Sequence, residues 1–345
     1  MKIIHPIDIF LQGTSPLIDV RTPQEYADGH IPGSINLPIL DNNQRSAVGT
    51  TYKEIGKKEA LILGMKAVAP MLKSLTESLQ KLKSLSKEPL RIYCSRGGFR
   101  SKSMLLLCQR LGLQAQLCDG GYKTYRSWVI EQLQHTYPIR LVGGFTGCGK
   151  TRILQQIALK GHSFIDIEKL ASHRGSVFGG LHQPLQPTQE HFENMLAMHL
   201  FNCRHSPIIW LEDESRTIGR CTIPNSIYTQ MESAPIFIIQ GSLNYRMAHL
   251  MEDYGHTSLS QALDALFKLK KKLGSEAISK ISQDLYAGRV EKALLQVLDY
   301  YDKSYLYSLT KKNQQKIWIN QTWDNPSDCA DYILQHENLM PALQQ

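Results

Sequence analysis

Leu90-Arg91-Ile92-Tyr93-Cys94-Ser95-Arg96-Gly97-Gly98-Phe99-Arg100-Ser101 is the stretch that decides the fold of the first part of the chain. Its apolar run ends at a cysteine, a glycine pair follows between two arginines, and leucines at helical spacing come next. This order predicts a strand, a loop of the size of a phosphate group, and a helix. We expect the loop amides, Arg96, Arg100 and the helix N-terminus to hold Cys94 as a thiolate, the nucleophilic form of cysteine. The alternative, an ordinary small core cysteine, is disfavoured by the two arginines.

Strand and helix patterns alternate around this loop. Residues 16–21 predict a short buried strand, and Thr22 is predicted to cap the next helix with Glu25 in the capping-box position. Leucines at helical spacing among many lysines predict helices over about 49–87, and a further strand is predicted over 113–117. Strands that alternate with helices predict a parallel sheet with the Cys94 loop at its carboxyl edge.

Five segments of this region resemble the rhodanese domain. They are Asp19-Val20-Arg21, Glu25-Tyr26, Gly29-His30-Ile31-Pro32-Gly33-Ser34-Ile35-Asn36, the Cys94 loop and Gly120-Gly121-Tyr122. The resemblance implies that Cys94 carries sulfur or selenium as a persulfide-type adduct. We expect Asp19 and Arg21 to be a structural pair that braces the loop, and His30 to be a turn residue and not a base.

A second chemical motif begins shortly after Tyr137-Pro138. Gly144-Phe145-Thr146-Gly147-Cys148-Gly149-Lys150-Thr151 is a complete G-x-x-x-x-G-K-[ST] sequence. A buried-strand pattern over 139–142 precedes it and a helical pattern over 152–160 follows it. Because this is the context that the motif requires, the sequence predicts a phosphate-binding P-loop in a second α/β domain.

The P-loop and a later strand supply the predicted phosphate and metal site. Residues 207–211 predict a buried strand that ends in Glu212-Asp213-Glu214, which resembles a Walker B terminus. A solvated strand end is the alternative; we favour Glu212 or Asp213 as functional. Lys150 is expected to neutralise phosphate oxygens, while Thr151 and Asp213 are the predicted Mg²⁺ ligands. The predicted cofactor-binding residues are Gly144, Gly147, Gly149, Lys150, Thr151, Glu212 and Asp213.

Charge and cysteine usage restrict the class of protein. The net charge of +8 favours an anionic partner such as RNA, although a basic surface that only confers solubility accounts for it equally well. The seven cysteines show no C-x-x-C spacing, and no secretory or membrane-spanning segment is recognisable. The sequence therefore predicts reduced thiols and a cytoplasmic location, and it argues against a zinc knuckle.

Polar loops and a helical region complete the chain. His173-Arg174-Gly175-Ser176, Gln186-Pro187-Thr188-Gln189 and the segment after Glu212 could line a phosphate or RNA groove, or be ordinary loops. The lysine run 268–272 is either a solvated helix face or a contact for RNA phosphates. We expect a rhodanese-like domain over 1–136, a P-loop α/β domain over 137–255, and a helical region over 256–345 packed on the P-loop domain.

Taken together, these motifs are similar to those of the tRNA 2-selenouridine synthase family, over about residues 18 to 305. The resemblance implies conversion of wobble 2-thiouridine in the tRNA anticodon region to 2-selenouridine through an S-geranylated intermediate. It also implies geranyl diphosphate and selenophosphate as co-substrates and Mg²⁺ as the expected cofactor. An aromatic residue often follows the loop cysteine in this family, where this chain has Ser95.

Two other classes of function are open to the same motifs. One is a sulfurtransferase coupled to an NTP-dependent kinase activity, in which ATP activates the acceptor. The other is a non-catalytic RNA-binding protein with decayed domains. The second is disfavoured because Cys94 and the complete P-loop are intact, and binding alone does not need a thiolate.

Overall fold

The computed structural model describes residues 4–175, 183–319 and 325–337. The chain divides into two compact units, one of residues 1–132 with 193–198 and the other of residues 133–192 with 199–345. Each unit contains a five-stranded sheet whose strands pair in parallel and are joined through helices. The predicted α/β class with parallel sheets is therefore confirmed.

The first unit alternates short strands with helices. Its strands are β1 (Ile4–His5), β2 (Leu17–Asp19), β3 (Ile35–Asn36), β4 (Leu90–Tyr93) and β5 (Ala115–Cys118). Its helices are α1 (Ile7–Gln12), α2 (Pro23–Asp28), α3 (Asn42–Glu54), α4 (Lys57–Val68), α5 (Leu72–Ser84), α6 (Phe99–Arg110) and α7 (Gly121–Gln132), with a 3₁₀ turn at Ala69–Met71. The strand order β1-β5-β4-β2-β3 makes β4 central, so the residue after β4 lies at the carboxyl edge of the sheet.

This unit differs from prediction in two places. The helices begin earlier than residue 49, because the Asp41 side chain accepts from the Gln44 N–H and Gln44 Oε1 accepts from the Asp41 N–H. This capping box starts α3 at Asn42. The sheet also gains β1, which was not predicted and which pairs with β5.

The second unit is a larger α/β structure. Its strands are β6 (Ile139–Gly144), β7 (Ser163–Phe164), β8 (Ile209–Glu212), β9 (Thr217–Ile218), β10 (Cys221–Thr222), β11 (Ile236–Ile239) and β12 (Lys316–Ile319). Its helices are α8 (Lys150–Leu159), α9 (Ile167–Leu170), α10 (Gln189–Asn202, of which residues 193–198 are assigned to the first unit), α11 (Asn225–Ser233), α12 (Leu243–Tyr254), α13 (Leu259–Lys268), α14 (Lys270–Leu273), α15 (Ser275–Tyr286), α16 (Val290–Lys311) and α17 (Pro326–Glu337).

The main sheet of this unit has the order β12-β11-β6-β8-β7, and β9 and β10 form a separate antiparallel hairpin. The sequence pattern over 163–168 predicts a weak strand with Asp166 near its end. The observed strand β7 is shorter, because the Asp166 side chain accepts from the Lys169 N–H and starts α9. The region after residue 255 is helical as predicted, except that β12 returns to pair with β11. The core of the sheet is made by β6, β8, β11 and the buried faces of α8 and α17.

The helices α13 to α16 have a small core of their own. It is built from Leu266, Leu269, Ile278, Ile281, Ala293 and Val297, which are all buried. Leu259, Leu263, Leu266 and Leu273 recur at helical spacing, which predicts an apolar stripe of core residues. The prediction is confirmed at Leu263 and Leu266, whereas Leu259 is 42% exposed. The lysines of the run 268–272 are exposed. All seven cysteines are free thiols. Over the ranges that the structure describes, we find no helix with both the length and the apolar character to cross a membrane.

Candidate active sites

The first candidate site is the loop between β4 and α6. Cys94 follows β4 directly and is 3% exposed, and its Sγ lies 3.2 Å from Ser101 Oγ in the first turn of α6. Gly98 is the N-cap residue of this 12-residue helix, so the sulfur lies close to the positive end of the helix dipole. The structure therefore confirms the predicted strand, loop and helix around Cys94.

A second loop, at the start of α7, is hydrogen-bonded to the backbone of the Cys94 loop and supports it. The N–H of Tyr122 donates to the Cys94 carbonyl oxygen at 2.8 Å, and the N–H of Lys123 donates to that of Ser95 at 3.0 Å. A Cβ on Gly121 would lie 2.2 Å from the Cys94 carbonyl oxygen and 2.7 Å from Gly97 N, and its φ is +63°. Only glycine is compatible with this close approach.

Of the two predicted loop arginines, Arg100 is held by the protein itself. Its Nη1 lies 2.5 Å from Glu25 Oε2, and its Nη2 donates to Glu25 Oε1 at 3.1 Å and to Ser95 Oγ at 2.8 Å. Burial raises the pKa of Glu25, but the hydrogen bonds and charge of Arg100 outweigh it and lower the pKa to about 2. Arg96 is exposed and has no ion-pair partner within the described ranges.

Asp19 and Arg21 form the structural pair that was predicted. Arg21 donates from Nη2 to Asp19 Oδ2 at 2.7 Å and to the Gly29 carbonyl oxygen at 2.6 Å, and both charged side chains are buried. The guanidinium also lies 3.7 Å from the centre of the Tyr122 ring, next to the loop that supports Cys94. His30 stacks on Tyr26 in the turn, with ring centroids 3.7 Å apart.

The second candidate site is a cleft of about 900 Å³ in the second unit, at the carboxyl edge of its sheet. The strand β6 leads into the P-loop and α8 begins at Lys150, which is the predicted context. All seven predicted cofactor-binding residues line this cleft. The P-loop glycines Gly144, Gly147 and Gly149 all have positive φ values, which leaves the loop amides free to turn towards a bound anion.

The polar loops divide between the cleft and the scaffold. His173, Arg174 and Gly175 line the cleft, and Arg174 also forms an ion pair with Asp253 at 2.5 Å. Ser176 lies outside the described residues. Gln186 has a structural role, because its Nε2 donates to the carbonyl oxygens of Ala171 and Ile218 at 2.9 and 3.0 Å.

Three glutamates form an acidic cluster at the floor of the cleft. One carboxylate oxygen from each of Glu168, Glu212 and Glu214 lies within 4.8 Å of the other two. Glu212 is 1% exposed, and its Oε1 has no hydrogen-bond partner in the described part of the chain. Burial and the charges of the other glutamates raise the pKa values of Glu168 and Glu214. Burial lowers the pKa of Lys150, but Cys148 and the glutamates outweigh it and raise the pKa overall.

Comparison with known proteins identifies both units. Residues 10–127 match the profile of the rhodanese-like domain, and residues 137–339 match that of the tRNA 2-selenouridine synthase AAA domain. The curated tRNA 2-selenouridine synthase of Nitrosomonas eutropha is 34% identical over 86% of this chain and 89% of its own length. Those of Shewanella halifaxensis and Salmonella schwarzengrund are also 34% identical, over 88% and 94% of this chain and 91% and 96% of their own lengths.

The chain belongs to the tRNA 2-selenouridine synthase family. In this member of the tRNA 2-selenouridine synthase family, the Cys94 loop lies in the rhodanese-like part and the P-loop cleft in the AAA part. Ser95, the residue after the cysteine, has a definite role. Its hydroxyl donates to Glu25 Oε1 at 2.8 Å and accepts from Arg100, so it completes the network that holds the loop.

The predicted Mg²⁺ ligands were Thr151 and Asp213, and the structure groups different acids. The Asp213 carboxylate accepts from Tyr305 Oη at 3.2 Å and forms an ion pair with Lys312. Its side chain is 2% exposed and is directed to these two partners. Whether Asp213 binds a metal stays a prediction, but the acidic cluster is the better set of donors. A buried carboxylate oxygen without a partner, among further carboxylates, fits a hard divalent cation such as Mg²⁺.

Two residues of this cluster were not predicted. Glu214 was assigned to the strand end without a role, and Glu168 was included only in the extension of a weak strand. A signal for Glu168 exists in the sequence, because it follows β7 and parallel neighbours present their carboxyl ends at one edge of the sheet. The pairing of β7 with β8 is what brings this edge together, and it is not visible in the sequence itself.

Proposed function

We propose that this chain is an enzyme that acts on tRNA and converts wobble 2-thiouridine to 2-selenouridine through an S-geranylated intermediate. The observation that carries the proposal is that one chain of this family retains both a supported Cys94 loop and a complete P-loop cleft. Its relatives are named tRNA 2-selenouridine synthase. The net charge of +8 suits a polyanionic substrate such as tRNA.

The first step of the proposal takes place in the P-loop cleft. The loop amides and Lys150 bind the diphosphate of geranyl diphosphate, and the neighbouring glutamates keep Lys150 protonated. The sulfur of 2-thiouridine attacks the first carbon of the geranyl chain, and the carbon–oxygen bond breaks with release of pyrophosphate. Glu168, Glu212, Glu214 and Thr151 would hold Mg²⁺, which when bound supplies positive charge for the departing diphosphate.

The second step exchanges the alkylated sulfur for selenium. S-alkylation prepares the base, because a geranyl thiol leaves the pyrimidine more readily than sulfide does. Selenophosphate supplies the selenium, a carbon–selenium bond replaces the carbon–sulfur bond, and hydrolysis of the selenium–phosphorus bond releases phosphate. Cys94 acts in this step as the nucleophile: its thiolate forms a bond to the base carbon as the geranyl thiol leaves, and the selenium of selenophosphate then displaces the Cys94 thiolate from that carbon. Arg96 provides the charge that attracts the anionic selenium donor.

The experiment that tests the proposal is mass spectrometry of wobble nucleosides after incubation of thiolated tRNA with the protein, geranyl diphosphate and selenophosphate. We expect Cys94→Ala to accumulate the S-geranylated nucleoside without selenation, and Lys150→Ala to leave 2-thiouridine unchanged. Cys203→Ala and Lys160→Ala, which lie outside both sites, serve as controls. Full selenation by Cys94→Ala would refute the role of the thiol, and normal geranylation by Lys150→Ala would separate the P-loop from that step.

A sulfurtransferase coupled to an NTP-dependent kinase activity is the second candidate, because a complete P-loop also suits a nucleoside triphosphate. The two candidates differ in what the cleft binds without tRNA. Nucleotide turnover by the protein alone would favour the kinase-coupled reaction. Binding of geranyl diphosphate in preference to ATP, with no nucleotide turnover, would favour the selenation reaction.

A further inference from the structure

A second, smaller pocket lies among the C-terminal helices of the second unit, and the proposed reaction does not yet use it. Its volume is about 110 Å³. Its walls are aliphatic side chains of α13, α15 and α16, among them Leu266, Leu285, Ala293 and Val297. The only polar groups among its described lining residues belong to Tyr254 and Thr257.

This apolar pocket adjoins the polar P-loop cleft. Tyr254, the last residue of α12, lines both of them. One face of α16 also runs from one to the other. Val290, Ala293 and Val297 line the apolar pocket, and the next residues at the same helical spacing, Tyr301, Ser304 and Ser308, line the cleft.

The distance between the two is short. Val297 and Ser304 are separated by two turns of one continuous helix, which corresponds to about 10 Å along its axis. Tyr305, the residue after Ser304, packs edge-on against Phe145 of the P-loop with ring centroids 6.1 Å apart, so this end of α16 lies beside the P-loop. The α16 segment between Val297 and Tyr305 therefore connects the apolar pocket with the site of the anionic group. Along α16 the lining changes from aliphatic side chains to hydroxyl groups, and this is the polarity of an amphiphile with an anionic head and a hydrocarbon tail.

We propose that the apolar pocket binds the hydrocarbon chain of a prenyl diphosphate whose head group is held by the P-loop. This inference rests on the proposed function, and it identifies the apolar pocket as the place where the chain length of the prenyl donor is selected. A nucleotide is a poor occupant for this arrangement, because its ribose and base need hydrogen-bond partners that the aliphatic walls do not supply. Each methylene placed in the pocket strengthens binding about fourfold, from the transfer free energy of a buried methylene.

The test compares binding of geranyl diphosphate and inorganic pyrophosphate to the full-length protein by isothermal titration calorimetry. Ala293→Phe fills the pocket from α16, where Ala293 is 2% exposed. We expect Ala293→Phe to weaken the binding of geranyl diphosphate at least tenfold, while pyrophosphate binds as tightly as it does to the wild type. Leu295→Phe is the matched control, because Leu295 lies on the same helix, is 40% exposed and does not line the pocket.

A second variant keeps the test independent of the folding of Ala293→Phe. Leu285→Ala enlarges the pocket, so we expect farnesyl diphosphate to gain affinity relative to geranyl diphosphate.

If both variants bind the prenyl diphosphates as the wild type does, the pocket assignment is overturned while the proposed function stands. If the wild type binds geranyl diphosphate no more tightly than pyrophosphate, the pocket assignment is again overturned. If Lys150→Ala leaves geranyl diphosphate binding unchanged, the proposed function fails at its first step, and the pocket assignment with it.

Discussion

The guanidinium of Arg100 is paired with the carboxylate of Glu25 through two hydrogen bonds, at 2.5 and 3.1 Å. Glu25 is the capping-box residue of α2, so this pair connects α2 with the first turn of α6, beside the Cys94 loop. Because the charge of Arg100 is already compensated, Arg100 acts on the loop as a support. Arg96, which is exposed, is the arginine left to meet an incoming anion.

The two arginines should therefore respond differently to substitution. We expect Arg96→Ala to lower the rate of selenation at limiting selenophosphate while the free energy of unfolding changes by less than about 0.5 kcal/mol. Arg100→Ala should reduce the free energy of unfolding by about 1–3 kcal/mol, because it leaves the carboxylate of Glu25 without its charged partner. Urea unfolding and single-turnover selenation measure the two effects. Equal losses of stability in both variants would contradict this division.

The same ion pair makes stability depend on pH. Since the pKa of Glu25 is lowered from 4.5 to about 2, its contribution is present above about pH 4.5 and is lost as the pH falls towards 2. We expect Glu25→Gln to be less stable than the wild type by about 2 kcal/mol at pH 7, allowing for partial exposure of the pair. The difference should shrink towards zero near pH 2.

Urea unfolding of both proteins across this range checks the prediction. Glu54→Gln, at the exposed end of α3, provides the control and should show no such trend. A difference between Glu25→Gln and the wild type that stays constant from pH 7 to pH 2 would show that the carboxylate charge is not its cause.

Gly121 and Gly112 provide a matched pair for testing the support of the Cys94 loop. Both have positive φ, at +63° and +68°, but an added Cβ meets backbone atoms only at Gly121. We expect Gly112→Ala to lower the free energy of unfolding by about 1–2 kcal/mol, from backbone strain alone. Gly121→Ala should lower it by at least about 4 kcal/mol and abolish selenation, because the Cys94 loop must move to accommodate the added Cβ. Chemical unfolding of the two variants measures both effects. Equal losses in the free energy of unfolding would mean that the close contact of Gly121 with Cys94 is unimportant.

Mg²⁺ binding at the acidic cluster and Mg²⁺ binding at Asp213 predict different effects of substitution. A cation bound to Glu168, Glu212 and Glu214 would stabilise the protein by about 2.7 kcal/mol at one hundred times its dissociation constant. We expect this Mg²⁺-dependent rise in Tm in the wild type and its loss in Glu212→Gln. Asp213→Asn should have a lower Tm, since Lys312 loses its partner, but should keep the response to Mg²⁺. Loss of the Mg²⁺ response in Asp213→Asn, together with its retention in Glu212→Gln, would identify Asp213 as the metal ligand.

Much of both sites could be predicted from the sequence, because the decisive signals are contiguous. The loop around Cys94 follows its strand and precedes its helix within twelve residues, and the P-loop is one uninterrupted motif. The glycines, the cysteine and Lys150 are required by the local backbone and its chemistry, so they can be read without knowing what packs against them. The capping box of α2 is equally local, since Thr22 and Glu25 satisfy each other within one turn.

Only the tertiary structure decided how distant charges are paired and which cavities adjoin. Glu168 meets Glu212 because β7 pairs with β8, Asp213 is compensated by Lys312 from the far end of α16, and Arg100 is compensated by Glu25 from another helix. The apolar pocket exists because α13, α15 and α16 pack together. The physical reason is range: a motif acts through the backbone of its own residues, whereas ion pairs and cavities depend on side chains that only folding brings within a few ångströms.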